Sequence, residues 1–173
     1  MFEKKDYVIQ ISKLVKGENH LQLLIDRELF EEFECEDALA IDVKLDMQVI
    51  KNERMIEFHF SFAGTMQVEC GRCLSPVTLP IEKTSDLYVK FGESYDEPDI
   101  NEWIIPEGEN DIDILSYVYE ELRVEIPISP VHKNIGECDK EMIERLEKNN
   151  LESQKDKEEI DPRWEKLKGL KIN

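Results

Sequence analysis

The sequence predicts an α+β protein: an antiparallel β meander or small barrel-like sheet, followed by helices. Two observations carry that prediction. Between Ala40 and Cys70 apolar residues recur at every second position, the period of a strand with one buried face. Beyond Asn110 they recur at helical spacing instead, interrupted by prolines.

Taken in order, Lys4–Val15 alternates loosely and reads as a first strand, and His20–Ile25 as a second. "RELFEEFECED" (Arg27–Asp37) mixes apolar residues with six acids and fits a short helix or an acidic loop. Ile41, Val43, Leu45, Met47 and Val49 then share one face of a strand, with Asp42, Lys44, Asp46 and Gln48 on the other. "KNER" (Lys51–Arg54) turns the chain, and Ile56, Phe58, Phe60 and Phe62 form a second apolar face. Ala63-Gly64 predicts another turn, after which Met66, Val68 and Cys70 continue the alternation. Val77–Phe91 reads as one or two further strands.

Gly92–Glu109 is polar and acidic, holds Pro98 and Pro106, and is predicted to be a loop. Asn110 or Asp111 then caps a helix carrying Ile112, Leu115, Val118, Tyr119 and Leu122. Pro127 and Pro130 in "IPISPVH" end it. Asp139–Asn149 predicts a short charged helix with Met142, Ile143 and Leu146 as its stripe, and "NNLESQKDKEEI" a polar linker. Asp161-Pro162 supplies a cap and first-turn proline for a last helix, Arg163–Leu170. Residues 1–135 therefore read as an acidic β-rich core domain with a central helix. Residues 136–173 read as a helical, linker-containing C-terminal segment.

Charge bounds the function. The chain has 40 acids against 22 bases, a net −18. Within Ser85–Glu121 there are 12 acids and one base, Lys90. Such a surface repels a phosphate backbone, which excludes a simple basic-patch nucleic-acid binder and suits a basic partner or plain solubility. No apolar stretch approaches a membrane span, and "MFEKKDYVIQISKLVKG" lacks the unbroken apolar core of a secretory signal. The expected location is the cytoplasm, where a close cysteine pair points to metal or redox work more than to a structural bridge.

That pair is Cys70-Gly-Arg-Cys73 in "VECGRCLSPV". Thiolates at this spacing can bite one zinc ion, since a tight turn aims both sulfurs at one point. Two further ligands are needed. His132 and Cys138 in "HKNIGEC" are the candidates, although 58 intervening residues separate them from Cys73. A thioredoxin-type redox pair opens a helix, whereas "LSPVTLP" cannot begin one comfortably. The third reading is packing, with Cys70 continuing the apolar face of Met66 and Val68. Spacing alone leaves all three open.

Elsewhere catalytic signals are thin. His20, His59 and His132 are scattered, and there is no phosphate-cradling glycine loop, G-x-S-x-G or H-E-x-x-H. The residues predict a protein that is not an enzyme. A zinc- or thiol-dependent enzyme or redox sensor using Cys70 and Cys73 is the alternative.

Three stretches taken together, "VECGRCLSPV", "EIPISPVHKNIGEC" and "DPRWEKLKGLKIN", resemble in order and spacing the YceD family, the bacterial and plastid large ribosomal RNA subunit accumulation proteins. In that resemblance Cys70, Arg72 and Cys73 match the first element. Pro127, Pro130, His132 and Cys138 match the second, and Pro162, Leu167 and Leu170 the third. It implies a role in large-subunit (23S) ribosomal RNA synthesis, processing or stability, hence ribosome assembly, with no catalytic activity. A cysteine in both of the first two elements strengthens the zinc reading. The charge then favours action through basic ribosomal or assembly proteins, with ribosomal RNA reached indirectly. Arg163, Trp164, Lys166, Lys168 and Lys171 form the local candidate for direct RNA or partner contact, Trp164 by stacking. The competing reading docks Trp164, Leu167 and Leu170 on the core.

Overall fold

The architecture is a computed structural model that describes residues 3–156 of the 173. Strict alternation produces its centre. Strands β3 (Ala38–Lys51) and β4 (Met55–Glu69) pair antiparallel, joined by the expected turn at Asn52. Ile41, Val43, Leu45, Met47 and Val49 from β3 face inward beside Ile56, Phe58, Phe60 and Phe62 from β4, and all are buried. The three phenylalanine rings stack along the strand at centroid spacings of 5.8 and 6.2 Å. Each contributes roughly 1.5–3 kcal/mol by leaving water. The long β5 (Pro76–Gly92) pairs with the other side of β4, and β2 (Gly17–Ile25) with the other side of β3.

Ala63-Gly64 does not turn. Strand β4 runs through both residues, with Gly64 opposite Val43. Its glycine answers to a close approach: a Cβ there would stand 2.1 Å from the Asp42 carbonyl oxygen. Only a residue without a side chain lets the two strands stay in register.

The predicted acidic loop also contains structure. β6 (Asp96–Asp99) and β7 (Glu102–Pro106) lie within it, β7 parallel to β5 and β6 antiparallel to β7. The order β2-β3-β4-β5-β7-β6 makes one mixed sheet of six strands, largely antiparallel as expected. No pairing joins β2 to β6 among the described residues, so the sheet is open rather than barrel-like. All four residues of β6 are exposed, so it has no buried face to leave an alternation in the sequence.

The first predicted strand shrinks to β1 (Val8–Gln10), between single 3-10 turns at Lys4–Tyr7 and Ile11–Lys13. It pairs with β8 (Asp111–Asp113), so Ile112 belongs to a strand and not to the helix. Helix α2 (Leu115–Arg123) starts later than expected, where the Asp113 carboxylate accepts the Leu115 N–H at 2.9 Å. Leu115, Tyr117, Val118 and Leu122 form its buried stripe. Tyr117 packs on Phe60 at 5.0 Å and meets Trp103 edge-on at 5.9 Å. Its hydroxyl donates to the Asp86 carbonyl at 3.0 Å. Lys83 on β5 ties the same helix down, reaching the carboxylates of Glu121 at 2.9 Å and Glu125 at 3.1 Å.

Helix α1 (Glu28–Glu32) is the short helix of the acidic stretch, and Phe33 just beyond it stacks on Tyr119 at 4.1 Å. Helix α3 (Lys140–Asp156) is capped by Asp139, whose carboxylate accepts the Met142 N–H at 2.9 Å. It continues to Asp156, through the first two thirds of the expected linker. No described helix is long and apolar enough to cross a membrane. Pro162, Arg163, Trp164, Lys166, Lys168 and Lys171 lie outside the described residues.

Candidate metal centre

Strands β4 and β5 are joined by the six-residue connection Cys70–Ser75, and the sequence there closes a tight knuckle. The Leu74 N–H donates to the Cys70 carbonyl at 2.8 Å, and the Cys70 N–H to the Ser75 carbonyl at 3.0 Å. Leu74 takes a φ of 63° to complete the turn, a left-handed conformation rare for a branched side chain. Gly71 donates its N–H to the Pro130 carbonyl at 2.7 Å, which lays the second segment against the first. A Cβ on Gly71 would stand only 3.4 Å from Ser129 Oγ, so the contact is close.

That contact brings the four predicted ligands together. The sulfurs of Cys70, Cys73 and Cys138 and a ring nitrogen of His132 lie within 4.8 Å of one another. His132 Nδ1 is 3.6 Å from Cys73 Sγ and 3.7 Å from Cys138 Sγ. A tetrahedral zinc ion bound by sulfur and imidazole requires ligand–ligand edges of about 3.5–3.8 Å. Cys70, Cys73 and Cys138 are 0%, 3% and 5% exposed, and His132 is half-buried. All four cysteines are free thiols, and Cys35, the outlier, lies apart beside Asp37 at 3.8 Å.

Electrostatics favour deprotonated ligands in the knuckle. Burial pushes the Cys70 thiol up, but the backbone N–H groups of Arg72, His132 and Cys73 outweigh it and bring it down to about 6. Burial acts the same way on Cys73, and the N–H groups of Asp139 and Ser75 hold it below the usual thiol range. Cys138 differs: burial and the neighbouring Cys73 raise it, with the Arg72 side chain opposing. The hydrogen bond to Cys70 raises His132, the direction that favours a proton on the ring in the absence of a metal. A metal ion and that proton compete for the same donors.

The ring is also oriented. Its Nε2 lies 3.2 Å from the Pro76 carbonyl, which can only accept, so Nε2 carries a hydrogen and, in the neutral ring, the Nδ1 lone pair faces the sulfurs. Arg72, between the two knuckle cysteines, donates from a terminal guanidinium nitrogen to Cys138 Sγ at 3.7 Å. Three sulfurs, one pre-oriented imidazole and a buried setting are compatible with a structural zinc site, closed by four protein ligands.

The sequence named the four clustered residues as metal-ligand candidates but not the groups around them. The Arg72 contact, the Pro76 carbonyl and the Gly71–Pro130 bond depend on two segments meeting, which no local pattern announces. Pro127 lines a cleft beside the site with Val68, Glu69, Arg123, Ile128 and Pro130. Trp103 was not singled out by sequence. With Asp96, Glu97, Asp111 and Asp113 it lines a second cleft, of about 580 Å³, between the β6–β7 hairpin and α2.

Compared with protein-family models, residues 58–171 match the family described as "Large ribosomal RNA subunit accumulation protein YceD". The match spans both halves of the Cys/His cluster. No curated protein and no solved structure matches the chain.

Proposed function

The chain belongs to the YceD family of large ribosomal RNA subunit accumulation proteins, and from that premise we propose that it is a non-enzymatic factor in ribosome assembly. It acts in the synthesis, processing or stability of 23S ribosomal RNA, in the cytoplasm. The observation that carries this reading is the family match itself, which covers about two thirds of the chain.

The metal in this reading is zinc, held by Cys70, Cys73, His132 and Cys138. Bound there it supplies a cross-link, fixing the segment after α2 to the β4–β5 connection. With four protein ligands there is no open position for a substrate or water, the arrangement of a structural site. Burial of Cys70 and Cys73 weighs against the redox alternative, because a working thiol must be reached by its partner.

The partner in this reading is a basic ribosomal or assembly protein. Charge supports it: among the described residues no Lys or Arg pairs with Asp96, Glu97, Asp99, Asp111 or Asp113. These carboxylates surround Trp103 at one end of the sheet. An aromatic face among carboxylates suits lysine or arginine, and ribosomal RNA is then reached through the partner.

The test is affinity capture from lysate at low and high salt, followed by identification of protein and RNA. The reading predicts ribosomal proteins or pre-ribosomal particles at low salt, lost at high salt. Recovery of neither, with no ribosomal RNA, contradicts it.

A further inference from the structure

The four ligands are not equally supported. Cys70 and Cys73 sit in the tight β4–β5 connection, which is closed by its own backbone hydrogen bonds, Leu74 N–H to the Cys70 carbonyl and Cys70 N–H to the Ser75 carbonyl. Cys138 stands at the end of a single 3-10 turn, Ile135–Glu137, just before α3. Its sulfur accepts from the guanidinium of Arg72, at 3.7 Å across 66 residues of sequence. Three thiolates around a dication also leave the centre with one net negative charge, and a buried negative charge requires a partner. Arg72 carries the opposite charge and is only half-exposed.

The geometry points to Arg72 as the positioning residue of the metal site: from the turn that carries Cys70 and Cys73 its guanidinium donates to Cys138 Sγ, and it neutralises the loaded centre. The knuckle thus contributes two ligands and, from the side chain between them, the anchor for a third. This inference rests on the zinc reading above and adds an order of importance among the residues around the ion. Arg72 touches a ligand and not the metal, so it acts through Cys138. The consequence is an asymmetric site, in which losing Arg72 releases the Cys138 end and leaves the knuckle intact.

The experiment measures zinc affinity of the full chain by competition with a chromophoric chelator, for wild type, Arg72→Gln and Arg72→Lys, and for both Arg72 residues in a Cys138→Ser background. Arg72→Gln is expected to weaken zinc binding by about 10–100-fold, the usual loss when a group supporting a ligand is removed. Arg72→Lys, which keeps the charge, recovers most of that loss. In the Cys138→Ser background the same Arg72→Gln change costs less than about threefold, because its target is gone. Cobalt(II) in place of zinc reports the same event, as weaker thiolate charge-transfer absorption in Arg72→Gln. Equal affinity of Arg72→Gln and wild type overturns the inference, as does an equal loss in both backgrounds. Failure of wild type itself to bind zinc removes the zinc reading as well, so the two failures are distinct.

Discussion

Strands β3–β5 and the segment from Val124 to Asp139 differ in what holds them. The strands bury an unbroken file of aromatic and aliphatic side chains, and Phe58, Phe60 and Phe62 are at most 1% exposed. The segment leaves most of its apolar residues outside: Val124, Ile128, Val131 and Ile135 are exposed, and only Ile126 and Cys138 among the described apolar residues of the stretch pack on the core. Little hydrophobic burial fixes it, and its attachments include the Lys83–Glu125 ion pair, the Gly71–Pro130 hydrogen bond and the side chains of His132 and Cys138. One region folds by packing. The other is held largely by polar contacts around the Cys/His cluster, so a metal bound there as proposed should control it far more than it controls the strands.

The largest expected effect tests the packed region. Phe60→Ala should destabilise the protein by about 3–5 kcal/mol, through lost burial and the cavity left behind. Urea unfolding should give the same loss with and without a zinc chelator. A loss that depends on the chelator breaks the comparison. Gly64→Ala comes next, at about 1–3 kcal/mol, since its Cβ must push the Asp42 backbone aside.

Cys73→Ser or chelation should act on the other region. Amide exchange across 124–139 should rise by about 100-fold, while the core amides of β4 keep their protection. Equal loosening of both would mean that the cluster is part of the main core. The smallest effect is at alkaline pH. Burial raises the phenols of Tyr7 and Tyr117 from the ordinary 10 to about 12. The folded state therefore favours the neutral phenol, and this stability is complete below pH 10 and lost as pH rises from 10 to 12. Tyr117→Phe should flatten that decline in a pH series of unfolding midpoints.

The same difference explains what the sequence reveals. Alternation made the β3–β4 hairpin legible because one face of each strand is buried and the other wet. Cys-x-x-Cys and the His132–Cys138 pair made the four clustered residues legible as metal-ligand candidates, beside the redox and packing readings, because metal chemistry restricts residue types. Strands β6 and β7 were hidden: "DEPD" is exposed on every side, and β7 pairs parallel to a strand ten residues away at its nearest. Ala63-Gly64 looked like a turn because local propensity cannot report a neighbouring strand that needs the missing side chain. Ile112 fitted a helical stripe by spacing, yet pairing with β1 made it a strand residue. The support that Arg72 gives Cys138 joins segments 66 residues apart, beyond any spacing rule.

Metal analysis of the full chain, purified under reducing conditions, tests the central claim most directly. The account predicts one zinc per chain in the wild type and a loss of that zinc in Cys70→Ser. Fully reduced wild-type protein that carries no zinc, and takes none up when zinc is supplied, would contradict it.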